Sequence, residues 1–437
     1  MKKLFFFWDE LTNSFWFIPM LIIVAALGLA STSIYLDQII DFENVDYFKY
    51  FVTESADSAR SVLSTISTAM IGVAGTVFSI TLVALTLASS QFGSRLLRNF
   101  MHERLNQVVL GIYVSTYLYC LIILNVVKDN DGLLFIPSLS ILIAIFAAVA
   151  NIVLLIIFIH HISVSIQADK VISDISESLT KNVESIFSEA IDEDSISHSF
   201  EDVDGIIEDY SKHTEVNCPK SGYLQYIDNE ALLNFAIKNN FLIITSHRPG
   251  NYLVKGEKLY DIYANTDFEN KPISILKSNF IIGKSRSPQQ DAEHAIHQMV
   301  EIACRALSPG VNDPYTAITC IDNLTSTMCY LTKVKFPNKH RYDEDENLRY
   351  VSRPLTYEGM LNASFLQIRQ FAKGSPAVVI RLMEAMITIY QFTKFSIHRE
   401  IVCKHAKMIL NLAESSFEDI HDLDDLKDRS KIIFGKD

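Results

Sequence analysis

Four long runs of apolar residues occupy the first third of the chain. They cover residues 15–35, 64–90, 105–127 and 134–159, and none has a charged side chain near its middle. A helix needs ~20 residues to cross the hydrocarbon core of a bilayer. Four consecutive runs of this length favour membrane-spanning helices over the alternative, which is the buried core helices of a soluble domain. We therefore predict a four-helix transmembrane domain over residues 1–161.

The charged residues between these runs predict the direction of the spans. Lys2 and Lys3 precede the first run, an acidic loop follows it, and Arg95, Arg98 and Arg104 follow the second run. The short loop before the fourth run is nearly neutral. Because cytoplasmic loops carry an excess of lysine and arginine, this alternation predicts that both chain ends lie in the cytoplasm.

Small or hydroxyl-bearing residues recur every three or four positions along the second run. In a helix they share one stripe: Ser64, Thr68, Gly72, Gly75, Ser79, Thr86 and Ser90. Because glycine offers lipid no packing area and is a poor helix former, we expect the stripe to face protein or water. Two interpretations stay open. The stripe packs closely against another helix, or it lines a polar path through a homo-oligomer.

Gln91, Arg95 and Arg98 follow the stripe at its predicted cytoplasmic end. Around a common axis these side chains would form a polar mouth whose positive charge favours anions. The alternative is that the arginines anchor the span by contacting anionic lipid headgroups. No acidic residue or lysine lies inside a predicted span, which argues against ion-coupled active transport.

The chain after the fourth run is predicted to form a cytoplasmic α+β domain. Residues 162–218 have the pattern of a juxtamembrane helix and an acidic connector. Residues 219–286 contain short β-rich runs, a helix at 231–238 and a Pro-Gly turn, which together predict a small β-barrel of the barrel-sandwich type. Residues 287–437 are predicted to be helical, with an exposed charged loop at 341–354.

A polar stripe marks the first helix of the region 287–437. It consists of Asp291, His294, Gln298, Glu301 and Arg305, and we interpret it as a face that contacts a neighbouring subunit or loop. Simple solvation is the alternative. The helix is predicted to stop at a turn made of Ser308, Pro309, Gly310, Asn312 and Asp313. There Asn312 or Asp313 caps the next helix, and Pro314 takes its first position.

His294, His297 and Glu301 have spacings that would let one helix face bring them to a metal ion. Their H-x-x-H-x-x-x-E pattern is a poor zinc signature, so we expect no metal and no cofactor. The sequence also lacks the strings typical of phosphate-binding loops, dinucleotide folds, serine hydrolases and zinc proteases. We therefore expect no enzymatic activity.

The composition of the chain limits the kinds of partner that we expect it to bind. The chain is 49% hydrophobic and carries a formal net charge of −13 at pH 7. Because nucleic-acid binding needs a basic patch, we expect no nucleic-acid partner. The six cysteines include no C-x-x-C pair and do not predict a disulfide framework. The expected partners are membrane lipid, further copies of the chain and small ions.

Several short strings are similar to those of one bacterial family. They are ASSQF at 88–92, GYLQYID at 222–228, RPG at 248–250, QD at 290–291, RALSPG at 305–310 followed by NDP at 312–314, and QIR at 367–369. The chain resembles the predicted membrane proteins of domain-of-unknown-function family 2254. This resemblance implies a bacterial inner-membrane protein and supplies no catalytic residues.

These observations lead to one functional hypothesis, one rival and a distant third, which is a metal-dependent enzyme that uses His294, His297 and Glu301. The hypothesis is a homo-oligomer whose second spans pack around an axis and conduct small ions under the control of the cytoplasmic domain. The rival is a membrane-anchored sensory or scaffold protein that does not conduct.

Overall fold

The chain divides into two compact units, Met1–Lys170 and Val171–Asp437. The structure, a computed structural model, describes residues 12, 14–39, 55–93, 104–130, 133–187, 203–266 and 278–435. The first unit contains the predicted spans, and the second contains two β-sheets and a set of helices.

Long apolar helices form the first unit. Among the described residues, four helices are long and apolar enough to cross a membrane: α1 (Phe17–Ile39), α2 (Ala56–Phe92), α3 (Arg104–Val126) and α4 (Ser138–Ser165). The predicted spans are thus present as helices. At ~1.5 Å per residue, the 37 residues of α2 extend to roughly 55 Å, which is longer than a hydrocarbon core of ~30 Å.

The helix α3 lies at the centre of the first unit and contacts α1, α2 and α4. Half of an 18-residue apolar stretch of α3 is buried, compared with 11% of such a stretch in α1. Gly111 permits the close approach of α1, because a Cβ atom there would lie 2.9 Å from Ile22 and 3.0 Å from the backbone of Pro19. On the same side, the Tyr119 hydroxyl lies 3.0 Å from that of Ser33 and donates to the carbonyl of Ser140 at 3.1 Å.

Asp37, near the end of α1, caps the start of α4. Its carboxylate accepts from the backbone N–H groups of Leu139 and Ser140 at 2.8 and 3.0 Å, and from the Ser140 hydroxyl at 2.5 Å. The first N–H groups of a helix lack intrahelical partners and carry partial positive charge. The side chain of Asp37 therefore links the end of α1 to the start of α4. The strands β1 (Lys128–Asn130) and β2 (Leu133–Phe135) form the hairpin between α3 and α4.

The second unit begins with helices and two open sheets. Its first helices are α5 (Ala168–Ile186), of which residues 168–170 still belong to the first unit, α6 (Val203–Glu208) and α7 (Asn229–Asn239). Its strands are β3 (Lys212–Asn217), β4 (Gly222–Ile227), β5 (Leu242–Thr245), β6 (Tyr252–Leu253), β7 (Lys258–Ala264), β8 (Phe280–Gly283), β9 (His340–Tyr342) and β10 (Leu348–Val351).

The predicted β-barrel is wrong. The strands form a five-stranded sheet in the order β3-β7-β5-β10-β9 and a three-stranded sheet in the order β6-β4-β8, and neither of these described sheets is closed. The larger sheet recruits β10, which pairs in parallel with β5 from more than a hundred residues away. That strand comes from the segment predicted as an exposed charged loop, yet Leu348, Tyr350 and Val351 are buried. Long-range pairing of this kind leaves no local signal in the sequence.

The two sheets and α7 share one apolar core. It includes Leu224, Ile243, Ile262 and Phe280, and the rings of Tyr260 and Phe280 stack with centroids 5.2 Å apart. The remaining helices form a bundle: α8 (Glu293–Ala306), α9 (Pro314–Leu331), α10 (Tyr357–Phe371), α11 (Pro376–Phe392), α12 (Ser396–Ser416) and α13 (Ile420–Phe434).

Candidate functional site

The stripe predicted on the second span lies on the outer surface of α2. All seven of its residues are exposed in the single chain. The opposite face of α2 packs into the first unit through Leu63, Met70 and Val77. A Cβ atom added at Gly72 or Gly75 would meet nothing within 4 Å. Packing among the described residues of one chain therefore does not explain these glycines.

The hydroxyl groups of the stripe differ in their hydrogen bonds. Thr86 and Ser90 donate to carbonyls of their own helix at 2.9 and 2.8 Å. Within the described part of the chain, the hydroxyls of Ser64, Thr68 and Ser79 have no hydrogen-bond partner. A hydroxyl without a partner is unfavourable in hydrocarbon. These three side chains therefore favour contact with water or another protein surface.

The end of α2 contains part of the predicted mouth. Gln91 is exposed in the last turn, and the helix ends at Phe92 with the N–H of Gly93 bonded to the carbonyl of Ser89. Arg95 and Arg98 lie outside the described residues. The mouth stays a prediction.

A buried polar cluster between α2, α3 and α4 was not predicted from the sequence. Asn151 is completely buried, and its amide donates to the Thr116 hydroxyl at 3.0 Å and approaches the sulfur of Met70 at 3.2 Å. The Tyr113 hydroxyl donates to the backbone carbonyl of Asn151 at 2.5 Å. Side-chain amides hold neighbouring helices together in bilayers. A single Asn in the fourth apolar run was the only signal, and we interpret the cluster as a packing device.

The second unit places Asp291 inside the protein rather than on a docking face. The Nε and Nη2 atoms of Arg286 donate to its carboxylate at 2.7 and 2.8 Å, and only 1% of Asp291 is exposed. This bidentate ion pair occupies both carboxylate oxygens of Asp291. Asp291 is therefore not available to a neighbouring subunit, which corrects its assignment to the interaction face.

The other four members of that face are half-buried on α8: His294, Gln298, Glu301 and Arg305. Their contact with a neighbouring subunit stays a prediction. The turn after α8 is well defined. Asp313 caps α9, because its carboxylate accepts from the N–H and the hydroxyl of Thr316 at 3.1 and 2.6 Å, and Pro314 occupies the first turn. Asn312 has a φ of +52°, which completes the turn from Ser308, Pro309 and Gly310.

The Arg286–Asp291 pair belongs to a larger charged network. Arg248 donates to both carboxylate oxygens of Glu293 at 2.8 and 2.9 Å, and the third nitrogen of Arg286, Nη1, lies 2.7 Å from Nδ1 of His297. Arginine only donates, so this His297 nitrogen accepts. The network joins the loop after β5 to the start of α8. Arg248 and Glu293 lie 45 residues apart in the sequence.

Three strings that carry the family resemblance meet around this network. The N–H of Gly250, in the RPG string, donates to the carbonyl of Leu224 in the GYLQYID string at 2.8 Å. Gln290, in the QD string, bonds to both the N–H and the carbonyl of Ile227, at 2.9 and 3.1 Å. Residues from all three strings thus lie close together around the charged network.

The geometry does not support a metal at His294, His297 and Glu301. Among the described residues, no group of three or more His, Cys, Asp or Glu side chains is arranged to hold a metal ion. The accepting nitrogen of His297 already faces the guanidinium of Arg286, where a metal cation would be repelled.

The cysteines have the character of core residues. All but Cys403 are buried. In the second unit, burial raises the pKa of Cys304 to about 12, with a smaller contribution from Glu301, and that of Cys329 to about 11. The reactive form of cysteine is the thiolate. These two thiols are therefore protonated and unreactive at neutral pH.

Four apolar helices followed by a mixed α/β unit define the class: a membrane protein with a large folded domain outside the spans. The family described as Predicted membrane protein (DUF2254) matches residues 12–388. The chain belongs to this family.

Two mycobacterial relatives have similar sequences. An uncharacterized protein of Mycobacterium tuberculosis (strain CDC 1551 / Oshkosh) is 30% identical over 358 residues, which cover 81% of this chain and 68% of that protein. An uncharacterized protein of Mycobacterium bovis (strain ATCC BAA-935 / AF2122/97) is 29% identical over the same shares. No solved structure matches the chain.

Proposed function

We propose that this protein is a multi-pass protein of the bacterial inner membrane whose copies associate through α2 and enclose a conduit for small ions. The second unit is its cytoplasmic regulatory domain. The observation that carries the proposal is the outward-facing stripe of α2, with open space over Gly72 and Gly75. A second copy, and water along a shared axis, would cover glycines and hydroxyls that are poor partners for lipid.

The charges in the sequence support the proposed direction of the spans. Lys2, Lys3 and the arginines after α2 lie on one side of the four-span pattern, and the acidic loop after α1 lies on the other. Positively charged loops stay in the cytoplasm. An even number of spans then puts the N-terminal segment and the whole second unit on the cytoplasmic side.

The chemistry of the stripe supports passive movement of ions. Its residues carry hydroxyls and exposed backbone but no charge. A path lined by hydroxyls and carbonyl groups replaces part of the hydration shell of an ion without binding it tightly. Transport coupled to protons usually needs an acidic or basic side chain within the membrane, and no Asp, Glu, Lys, Arg or His lies in the apolar middle of a predicted span.

A specific observation favours the second candidate, a sensory or scaffold protein that does not conduct. Thr86 and Ser90 already donate to carbonyls of α2. Their hydroxyls therefore need no water, and this end of the stripe suits a dry interface between two helices. In that case α2 joins the copies and the second unit carries the activity.

Ion flux through reconstituted protein separates the two candidates. We expect purified wild-type protein in liposomes to release trapped potassium or chloride. Gly72→Leu should reduce the rate at least tenfold, because the leucine side chain would keep neighbouring α2 helices apart and disrupt the conduit that they enclose. Ala69→Leu is the matched control, since Ala69 is exposed on the same helix segment but lies beside the stripe rather than in it. Flux should remain near the wild-type rate in this control.

Two results would contradict the conduit. One is wild-type protein that inserts as an oligomer yet releases neither ion, which would support the scaffold. The other is an equal change of flux in Gly72→Leu and Ala69→Leu, which would show that conduction does not depend on the stripe.

A further inference from the structure

A cleft of about 410 Å³ opens in the second unit beside the Arg248–Glu293 pair. Tyr226 of β4, Thr245 of β5 and Tyr350 of β10 lie in its wall, so the cleft forms where strands of both sheets meet. Small-molecule sites usually measure about 300–1,000 Å³. The cleft therefore has the size of a site for a small organic molecule.

The cleft is cationic, although the protein as a whole is acidic. Arg248, Arg341 and Arg353 line it, and none of the described lining residues is an aspartate or a glutamate. The formal net charge of the chain is −13, so this concentration of arginines contrasts with the overall composition. An uncompensated set of cations in a concave site attracts anions.

Two of the three arginines have no carboxylate partner. Arg248 pairs with Glu293 at 2.8 Å, and Glu293 does not line the cleft. Within the described residues, neither Arg341 nor Arg353 forms an ion pair, and Arg341 lies over the ring of Tyr350 with its guanidinium carbon 5.9 Å from the centroid. Arginine binds phosphate through paired N–H groups. Arg341 and Arg353 are thus available to an anionic ligand.

The rest of the wall suits the organic part of such a ligand. Ile227, Pro249 and Leu355 give it an apolar surface. The Tyr350 hydroxyl donates to Oδ1 of Asn229 at 2.7 Å, which fixes both side chains at the edge of the cleft. A second concavity of about 610 Å³ shares Arg341 with the cleft and adds Lys335. Glu230 also lines this second concavity and offsets the charge of Lys335, so the excess of positive charge belongs to the cleft itself.

We propose that this cleft binds a soluble small molecule of nucleotide size that carries phosphate groups, with Arg341 and Arg353 as the phosphate-binding residues. The Arg248–Glu293 pair positions the third guanidinium. The inference does not depend on ion conduction. Ser185 and Ile186 of α5 also line the cleft, and α5 starts three residues after the fourth span ends. A bound ligand would thus contact the segment that leads directly from the membrane.

Binding to the full-length protein in a neutral detergent tests the proposal. Isothermal titration calorimetry with ATP, GTP, inorganic phosphate and uncharged adenosine measures each affinity. The comparison separates the contribution of the phosphate groups from that of the nucleoside. We expect at least one nucleotide to bind with a Kd below about 1 mM, and adenosine at least tenfold more weakly. Higher salt should weaken binding, because screening reduces the attraction between the arginines and phosphate.

Variants connect the binding to the cleft. Arg341→Gln and Arg353→Gln should each weaken nucleotide binding about tenfold, a typical effect of losing one charge-assisted hydrogen bond. Lys373→Gln is the control, because it removes an exposed positive charge that does not line the cleft and should leave the Kd within about twofold. Thermal unfolding of each variant shows whether the second unit keeps its stability.

Three outcomes would overturn the proposal. The first is that no phosphate compound binds the wild-type protein. The second is that both arginine variants bind as tightly as the Lys373→Gln control. The third is binding that appears only with vesicles of anionic phospholipid, since the cleft would then recognise lipid headgroups rather than a soluble ligand.

Discussion

Gly250 shows how one residue without a side chain allows the charged network to form. Its φ is +95°, and a Cβ atom there would lie 2.6 Å from a carboxylate oxygen of Asp291 and 2.9 Å from Arg286. Only glycine gives both the left-handed backbone and the space for this ion pair. Gly256, in the same loop region, has a φ of +89° but nothing within 4 Å of its added Cβ. Both positions therefore share the strain of a left-handed backbone, but only Gly250 would also place an added methyl group against other atoms.

We expect Gly250→Ala to destabilise the second unit more than Gly256→Ala. The left-handed backbone costs ~1–2 kcal/mol in either variant. In Gly250→Ala the methyl group also displaces the carboxylate of Asp291, and disrupting a buried ion pair costs ~3–5 kcal/mol. Thermal and denaturant unfolding of the two variants measures the difference. Equal losses of stability would contradict the role assigned to the Arg286–Asp291 pair.

His405 predicts how the stability of the helical bundle changes with pH. Burial, with smaller contributions from the cations of Arg369 and Lys404, lowers the pKa of His405 to about 4. Its Nε2 lies 2.8 Å from Oδ1 of Asn362, the arrangement of a neutral ring that donates one hydrogen bond. The unfolded chain, with a pKa near 6.5, therefore takes up this proton first as the pH falls.

Stability should consequently be greatest above pH ~6.5 and fall as the pH drops from ~6.5 to ~4, by at most about 1.4 kcal/mol per pH unit for this histidine. Hydrogen exchange of α12 in the full-length protein, corrected for the intrinsic rate, measures this opening free energy. His405→Gln should reduce the slope, and the exposed His421→Gln should not. The same slope in all three proteins would show that another group is responsible.

At the scale of elements, α2 has two faces with different composition. The face toward the first unit carries Leu63, Met70 and Val77, and the outer face carries the stripe. Apolar side chains on the inner face hold the helix in its own chain. Small residues on the outer face allow the backbone of another helix to approach.

We expect Gly72→Leu and Gly75→Leu, singly or together, to lower the oligomeric state of the protein in a mild detergent. Each leucine would keep the helix backbones apart. Ala69→Leu should leave the assembly intact, because it adds the same side chain elsewhere on α2. Light scattering after size-exclusion chromatography gives the mass of each variant. A wild-type monomer, or an assembly that all variants retain, would refute association through the stripe.

Local signals predicted several elements correctly, and long-range pairing explains the failures. The apolar runs predicted all four long apolar helices of the first unit, and Asn229–Asn239 contains the helix predicted at 231–238. The closed barrel was wrong because β10 reaches β5 from a segment that looks charged and exposed: Arg349 is neutralised by Asp343 at 2.6 Å. Asp291 was assigned to an exposed face because its partner, Arg286, lies outside the helical periodicity.

The cleft and the Asn151 cluster were also not predicted. The cleft combines Arg248, Arg341 and Arg353, which come from two loops and a strand and share no periodic spacing. Asn151 is one polar residue in an apolar run, and its partners lie on α2 and α3. Sites assembled from distant segments become visible only once the segments are placed in space.

At the scale of the whole molecule, the four-span pattern has a direct topological consequence. If both ends lie in the cytoplasm, the hairpin between α3 and α4 lies on the opposite side of the membrane. Alkaline phosphatase fused after Asn130, in that hairpin, should be active, whereas a fusion after Asp437 should be inactive. Phosphatase activity after Asp437 would contradict the cytoplasmic position of the second unit.

The most direct test of the account is whether the α2 stripes of two copies meet in a native membrane. Ser79→Cys and Ala69→Cys, each in a Cys403→Ser background, place one thiol on the stripe or on a neighbouring face. Under mild oxidation we predict a disulfide-linked dimer for Ser79→Cys and little for Ala69→Cys. Monomeric Ser79→Cys that is labelled readily by a lipid-soluble maleimide would show that the stripe faces the acyl chains, and would contradict the proposed assembly.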